Sequence, residues 1–274
     1  MHPALQSVAH RPWPLPRGEW RWRQSWLDLA FIHYRADAEQ IGALLPSGLR
    51  LQEFDGSAWI GLVPFRMAGV TRRPLPDIPH FSSFPELNLR TYVEFDGKPG
   101  VWFFSLDADS WPVVFGGRRI YGLPYFSASM QQRLRAGWFS FSSIRRSGEA
   151  TFEARYRPFG EVFFPPLGTF EHWATERYCL YSFSASCGIE RVEVHHAPWP
   201  LQRAEVVIEQ CSMLSSANIT PLKGEPVCHF SSGVHVVSFA KERANKGGSP
   251  SEGTCTNGAR GRTRTDKSLE DGRF

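Results

Sequence analysis

Between Phe115 and Ala128 the chain reads Phe-Gly-Gly-Arg-Arg-Ile-Tyr-Gly-Leu-Pro-Tyr-Phe-Ser-Ala, its densest run of residue types able to do chemistry. Arg118 or Arg119 can hold a carboxylate through two parallel N–H bonds. Tyr121 adds a second polar contact for a substrate, and Tyr125 can donate a hydrogen bond or act as a general acid. Adjacent residues of a strand face opposite sides, so at most one of Arg118 and Arg119 enters an interior. Glu86 precedes another strand and would serve as a general base if burial raised its pKa. On that strand Leu87, Leu89, Val93 and Phe95 point one way, and Asn88, Arg90, Tyr92 and Glu94 the other. The polar face either lines an interior, making Arg90 a substrate contact, or meets water. Each candidate has a structural alternative: a buried ion pair for an inward arginine, a core position for Tyr125, a cap or ion pair for Glu86. Arg177, at the end of an expected helix, reads as a complement to the helix dipole.

Other chemistries find no support. The glycines lack the spacing of a phosphate loop or a dinucleotide fingerprint, and no G-x-S-x-G elbow occurs. His195 and His196 diverge on a strand, His229 and His235 have no metal-ligand spacing, and His33 reads as a core histidine. The cysteines form no C-x-x-C pair. Neither a metal nor a cofactor is expected. Of the 31 basic residues only Lys98, Lys223, Lys241, Lys246 and Lys267 are lysines, and they fall in a hairpin turn, a loop and the C-terminal stretch. An imine-forming enzyme needs an amine that can lose its proton, which arginine does not supply.

The elements around these residues read as hairpins. Leu49–Phe54 and Ser57–Phe65 flank Asp55-Gly56, and Leu87–Phe95 and Val101–Asp107 flank a turn opening on Asp96-Gly97. Further pairs are 138–144 with 149–157 and 179–186 with 189–195; 203–210 and 234–239 add strands. Short helices are expected at 38–45 behind an Asp37 cap, at 170–177 behind Thr169, and at 210–218. Repeated hairpins with few helices indicate an antiparallel sheet closing into a barrel around a lumen.

The 274 residues can bury a large core, and 21 Phe, 10 Trp and 7 Tyr rule out a disordered body. Residues 1–25, rich in Pro and Trp, read as an arm, 26–240 as one barrel domain, and 241–274 as a disordered, weakly basic tail. The net charge of +4 owes much to that tail, so no nucleic-acid partner is expected. No apolar run is long enough to span a membrane and no signal peptide is evident, which points to a cytoplasmic protein.

Gly117-Arg118-Arg119-Ile120-Tyr121-Gly122-Leu123-Pro124 resembles the motif leading into the reactive lysine pair of acetoacetate decarboxylases. Phe31-Ile32-His33-Tyr34, Asp55-Gly56-Ser57-Ala58-Trp59-Ile60-Gly61, Glu86-Leu87-Asn88-Leu89-Arg90-Thr91-Tyr92-Val93, Glu176-Arg177-Tyr178 and His196-Ala197-Pro198-Trp199-Pro200-Leu201 are similar to the YqjF-like branch of that superfamily, whose function is unassigned. The resemblance spans about residues 25–240. It implies an acetoacetate-decarboxylase-like antiparallel β-barrel with two or three short helices. Tyr125 and Phe126 stand where the lysine pair would, and Arg119 replaces the acid after the arginine, so Schiff-base decarboxylation is not expected.

Three functions remain open. One is an enzyme on a small carbonyl compound or organic acid, with Arg118 or Arg119 as anchor and Tyr125 with Glu86 handling protons. The others are a non-catalytic ligand-binding barrel and a structural barrel with a packed lumen; a homo-oligomer stays open for all three. A pocket holding an arginine, Tyr125 and a carboxyl with a strongly shifted pKa favours the enzyme.

Overall fold

The computed structural model describes residues 2–75 and 82–244. Its strands are β1 (Trp22–Ala36), β2 (Arg50–Leu51), β3 (Ala58–Arg72), β4 (Phe84–Phe95), β5 (Lys98–Ala108), β6 (Tyr125–Arg135), β7 (Trp138–Arg145), β8 (Thr151–Phe163), β9 (Cys179–Ser184), β10 (Gly188–His196), β11 (Leu201–Cys211) and β12 (Val227–Arg243). The helices are α1 (Ala38–Ala43), α2 (Trp111–Gly116), α3 (Phe170–Thr175) and α4 (Met213–Ser216). None of the described helices is long and apolar enough to cross a membrane.

Local chemistry explains the tight turns and caps. Asp96 and Gly97 both take left-handed φ (53° and 69°), giving β4 and β5 a two-residue connection. Asp55 and Gly56 do the same (52° and 67°) between the bridged residues Phe54 and Ser57. The Asp37 carboxylate accepts from Gln40 N at 2.8 Å to start α1, and Thr169 Oγ1 accepts from His172 N at 3.3 Å to start α3.

Two corrections concern the sheet and its crossover. The sheet is mixed, because β5 runs parallel to β6 at Leu106–Ala108 and to β9 at Val101–Trp102. Parallel neighbours require a crossover rather than a hairpin. That crossover is 109–124, which holds the unforeseen α2, started with Pro112 in its first turn, and a π-helical turn over Gly117–Tyr121. Arg118 and Arg119 therefore stand on a helical turn and not on a strand.

From β5 the hydrogen-bonded neighbours run through β6, β7, β8, β11, β12, β1, β3 and β4, and β4 returns to β5. A second circuit leaves β5 through β9 and β10 and rejoins at β12. Strands β1, β3 and β4 belong to both, so both of their faces are buried. Ile32, Leu62, Leu87 and Leu89 pack with Phe141, Phe152, Tyr156 and Phe230 inside the first circuit, which aromatic rings fill. Phe31, Val63, Phe65 and Tyr92 pack with Phe103, Val194 and Trp199 inside the second. The polar face of β4 thus looks into a second interior instead of water.

The N-terminal residues lie against this body. Ala4 packs with Val237 and Phe239. Arg11 is buried, donating to Val194 O at 2.6 Å and pairing with Glu193, which also accepts from Trp13 Nε1 at 2.8 Å. β1 begins at Trp22, inside the expected arm, and β12 ends at Arg243, past the expected boundary at 240. Residues 245–274, most of the expected tail, lie outside the described residues.

The contact between β5 and β9 is short and close. A Cβ on Gly100 would stand 2.7 Å from Cys179 Cβ and 2.7 Å from the Tyr181 ring. Gly100→Ala is therefore expected to lower stability by about 1–3 kcal/mol in denaturant unfolding.

Candidate functional site

The second interior is not fully packed. It contains a cavity of about 80 Å³ walled by the polar face of β4 (Glu86, Asn88, Arg90), Tyr125 at the start of β6, Arg177 just past α3, His196 at the end of β10 and Trp199 beyond it. That volume suits a compact ligand and excludes a nucleotide.

One end is acidic. Glu86 is 1% exposed and forms no ion pair among the described residues; its Oε2 accepts from the Tyr125 hydroxyl at 3.3 Å. Burial pushes the Glu86 carboxyl up to about 8, with Asp107 adding to the rise and Tyr125 opposing it. Burial also holds the Tyr125 phenol well above its usual value, with Glu86 reinforcing the shift. Asp107, the other carboxyl acting on Glu86, has its own cation: Arg145 grips it bidentately, Nε to Oδ2 at 2.8 Å and Nη2 to Oδ1 at 2.9 Å.

The other end is basic. Arg90 lies four residues from Glu86 on the same face, roughly 13 Å along an extended strand. Its side chain makes no hydrogen bond among the described residues, its buried Nε has no partner, and its guanidinium sits 5.6 Å from the Phe31 ring. Arg177 is buried, donates to Trp173 O and Gln52 Oε1, and keeps Nη2 unpaired. The two guanidiniums flank Tyr92, at 5.8 and 5.2 Å from its ring. Burial pulls Arg177 down to about 9, and Arg90 adds to the drop, yet it stays charged at neutral pH. The buried indole nitrogens of Trp26 and Trp199 also lack acceptors. A wall this rich in unpaired donors can hold an anion.

The sequence-derived candidates divide. Glu86, Tyr125 and Arg90 line one cavity. Arg118 and Arg119 do not: both are exposed on the π turn, where Arg118 Nε donates to Tyr125 O. Tyr121 is half-buried outside the cavity, raised to about 12 by burial and near Trp22 and Arg72. Arg177 and His196 were missed as lining residues. Arg177 does keep its helix-end role through Trp173 O, and the signal for a second role was an arginine leading into the apolar run at Cys179. His196, buried, pairs through Nδ1 with Ala197 O at 2.8 Å and is lowered from its usual pKa mainly by burial. Of the glycine doublet, Gly117 serves packing: a Cβ there would overlap the Tyr125 ring. None of the described lysines lines the cavity; Lys98 and Lys241 pair with Glu193 and Glu190, and Lys223 is exposed.

The profile of the family DUF2071, described as an uncharacterized conserved protein (COG2071), matches residues 23–235. The uncharacterized protein YqjF of Bacillus subtilis strain 168 is 40% identical over 217 residues, covering 79% of this chain and 89% of YqjF. An acetoacetate decarboxylase of Streptomyces nogalater is 29% identical over only 93 residues, 34% of this chain and 33% of its own. The crystal structure of acetoacetate decarboxylase from Legionella pneumophila superposes with TM-score 0.57 at 15% identity, covering 85% of this chain and 91% of that one. The enduracididine biosynthesis enzyme MppR, complexed with pyruvate, superposes with TM-score 0.58 at 15% identity, covering 87% of this chain and 94% of its own. These neighbours establish an acetoacetate-decarboxylase-like fold.

The raised Glu86 pKa has a signature in stability. The folded state holds the proton up to about pH 8, whereas the unfolded chain releases it near 4.5, so Glu86 costs stability increasingly across that window and no further above it. The Tm of Glu86→Gln minus that of the wild type is therefore expected to grow from pH 5 to pH 8 and then level off. A flat difference would contradict the burial of an ionisable carboxyl at this position.

Proposed function

The chain belongs to the uncharacterized conserved family that includes YqjF, on an acetoacetate-decarboxylase-like fold, and from that premise we propose that it binds a small organic acid or carbonyl compound in the inner cavity and transfers a proton on it without a Schiff-base lysine. The two strand circuits are then fused barrels, the first filled and the second keeping room for the ligand. The observation that carries the reading is the division of one cavity into a basic end, Arg90 with Arg177, and an end holding the unpaired Glu86–Tyr125 couple.

The roles follow from charge. Arg90 and Arg177 hold the carboxylate, a charge-assisted contact that their missing counter-ions leave available. Tyr125, protonated throughout the working range, donates to the carbonyl oxygen. Glu86, with a pKa near 8, is matched to accepting a proton from carbon near neutral pH and returning it. MppR, a neighbour in fold alone, is described with pyruvate, so pyruvate is a sensible first probe.

Solvent-deuterium exchange into pyruvate and acetoacetate, followed by proton NMR, tests this. Exchange is expected to rise with pH and plateau above about 8, as the base form of Glu86 accumulates. Glu86→Gln should abolish the catalysed exchange, and Tyr125→Phe should reduce it by roughly 10²–10⁴-fold. Arg90→Met should weaken binding by about tenfold or more, the share of a charge-assisted hydrogen bond. Binding without exchange would favour the non-catalytic alternative; no binding of any small acid would reject both.

A further inference from the structure

Outside the cavity, an open groove of about 540 Å³ runs between Leu44–Pro46, which follow α1, and the β5 and β9 residues Trp102 and Phe183. Its origin is topological. One edge of β5 is paired with β4 from Lys98 to Ala108, interrupted only by an irregularity that leaves Phe104 out of register. On the other edge β9 pairs only at Val101 and Trp102, then departs with β10, and β6 joins only at Leu106. Phe103, Phe104 and Ser105 are left without a strand partner on that edge among the described residues. The sheet is open there, and the groove fills the opening.

Groove and cavity share a wall. Phe103 lines both spaces. Leu123 lines the cavity while its neighbours Gly122 and Pro124 line the groove, and Leu180 lines the cavity while Tyr181 and Ser182 line the groove. Gly122 takes φ +65°, which turns the chain at this rim. Phe103 is 5% exposed and stands on the stretch of β5 that neither β9 nor β6 pairs.

We propose that the gap between β9 and β6 is the doorway of the cavity and that Phe103 is the specificity-determining residue that closes it, setting the length of the acid the site takes. The proposal rests on the acid-binding reading above. With Phe103 in place the ligand is confined to the inner cavity and a short chain is selected. Without it, an acid anchored at Arg90 and Arg177 extends its apolar tail into a groove walled by Leu44, Leu45, Trp102 and Phe104. An aromatic side chain on a sheet edge moves by rotation, so opening needs no break in the strand pairing.

The test compares pyruvate, 2-oxobutyrate and 2-oxooctanoate on the wild type and on Phe103→Ala, by calorimetry, together with a crystal structure of the ligand-free variant. The wild type should prefer pyruvate over 2-oxooctanoate by tenfold or more, and Phe103→Ala should reverse that order. The variant's structure should show one solvent-filled space from Pro46 to Trp199. An unchanged order of affinities in a folded variant, or equal wild-type affinity for all three acids, would overturn the gate while leaving acid binding intact. Should no acid bind either protein, the crystal structure decides the doorway alone: a continuous space supports it, and an intact partition rejects it. Phe103→Leu, which keeps an apolar plug, guards against a folding defect and should retain the wild-type order.

Discussion

A carboxyl group buried without a cation is the constraint on which this site depends. Taking an ionised carboxylate out of water costs several kcal/mol unless a partner offsets it. Glu86 has only the Tyr125 hydroxyl. Asp107, by contrast, has Arg145 on both of its oxygens. Farther along the same face of β4, Arg90 and Arg177 have the opposite deficit, guanidinium groups without acids. A structural network would have joined these groups into pairs. Their separation leaves a small space polarised from end to end, an arrangement that destabilises the empty protein and becomes favourable once an anion fills it.

The architecture makes that separation possible. Strands β1, β3 and β4 are shared by two closed circuits, so their alternating side chains serve two interiors. Leu87 and Leu89 complete an apolar core on one side, while Glu86, Asn88 and Arg90 project to the other. The first interior, crowded by Phe141, Phe152, Tyr156 and Phe230, supplies rigidity. The second is anchored by Phe31, Tyr92 and Trp199. The N-terminal residues hold its outer wall through Arg11 and Glu193, next to the strand that ends in His196.

What was legible in the amino-acid sequence was what short-range chemistry dictates. Asp55-Gly56 and Asp96-Gly97 marked tight turns because few other residue pairs accept two left-handed conformations in succession. Asp37 and Thr169 marked helix starts. The alternation along β4 separated Leu87 and Leu89 from Asn88 and Arg90, although only the long-range closure of the second circuit decides that the polar set is interior. The parallel pairing of β5 was hidden for the same reason: nothing between Asp109 and Pro124 announces a crossover, since Pro112, Gly116 and Gly117 read as turn material. That hidden α2 and π turn carried Arg118 and Arg119 to the surface, and the task assigned to them passes in the proposed mechanism to Arg90 and Arg177. Arg177 could not be singled out by spacing, because a helix-end arginine is ordinary and this one does bond its helix carbonyl.

A carboxyl buried in this way keeps its proton at neutral pH. Carbon-13 NMR of glutamate-labelled protein, with the Glu86 carboxyl resonance assigned by its loss in Glu86→Gln, measures that directly. A titration midpoint near 8 is the predicted result. A midpoint in the ordinary range around 4.5 would mean that the carboxyl is solvated or paired, and the polarised cavity described above would not exist.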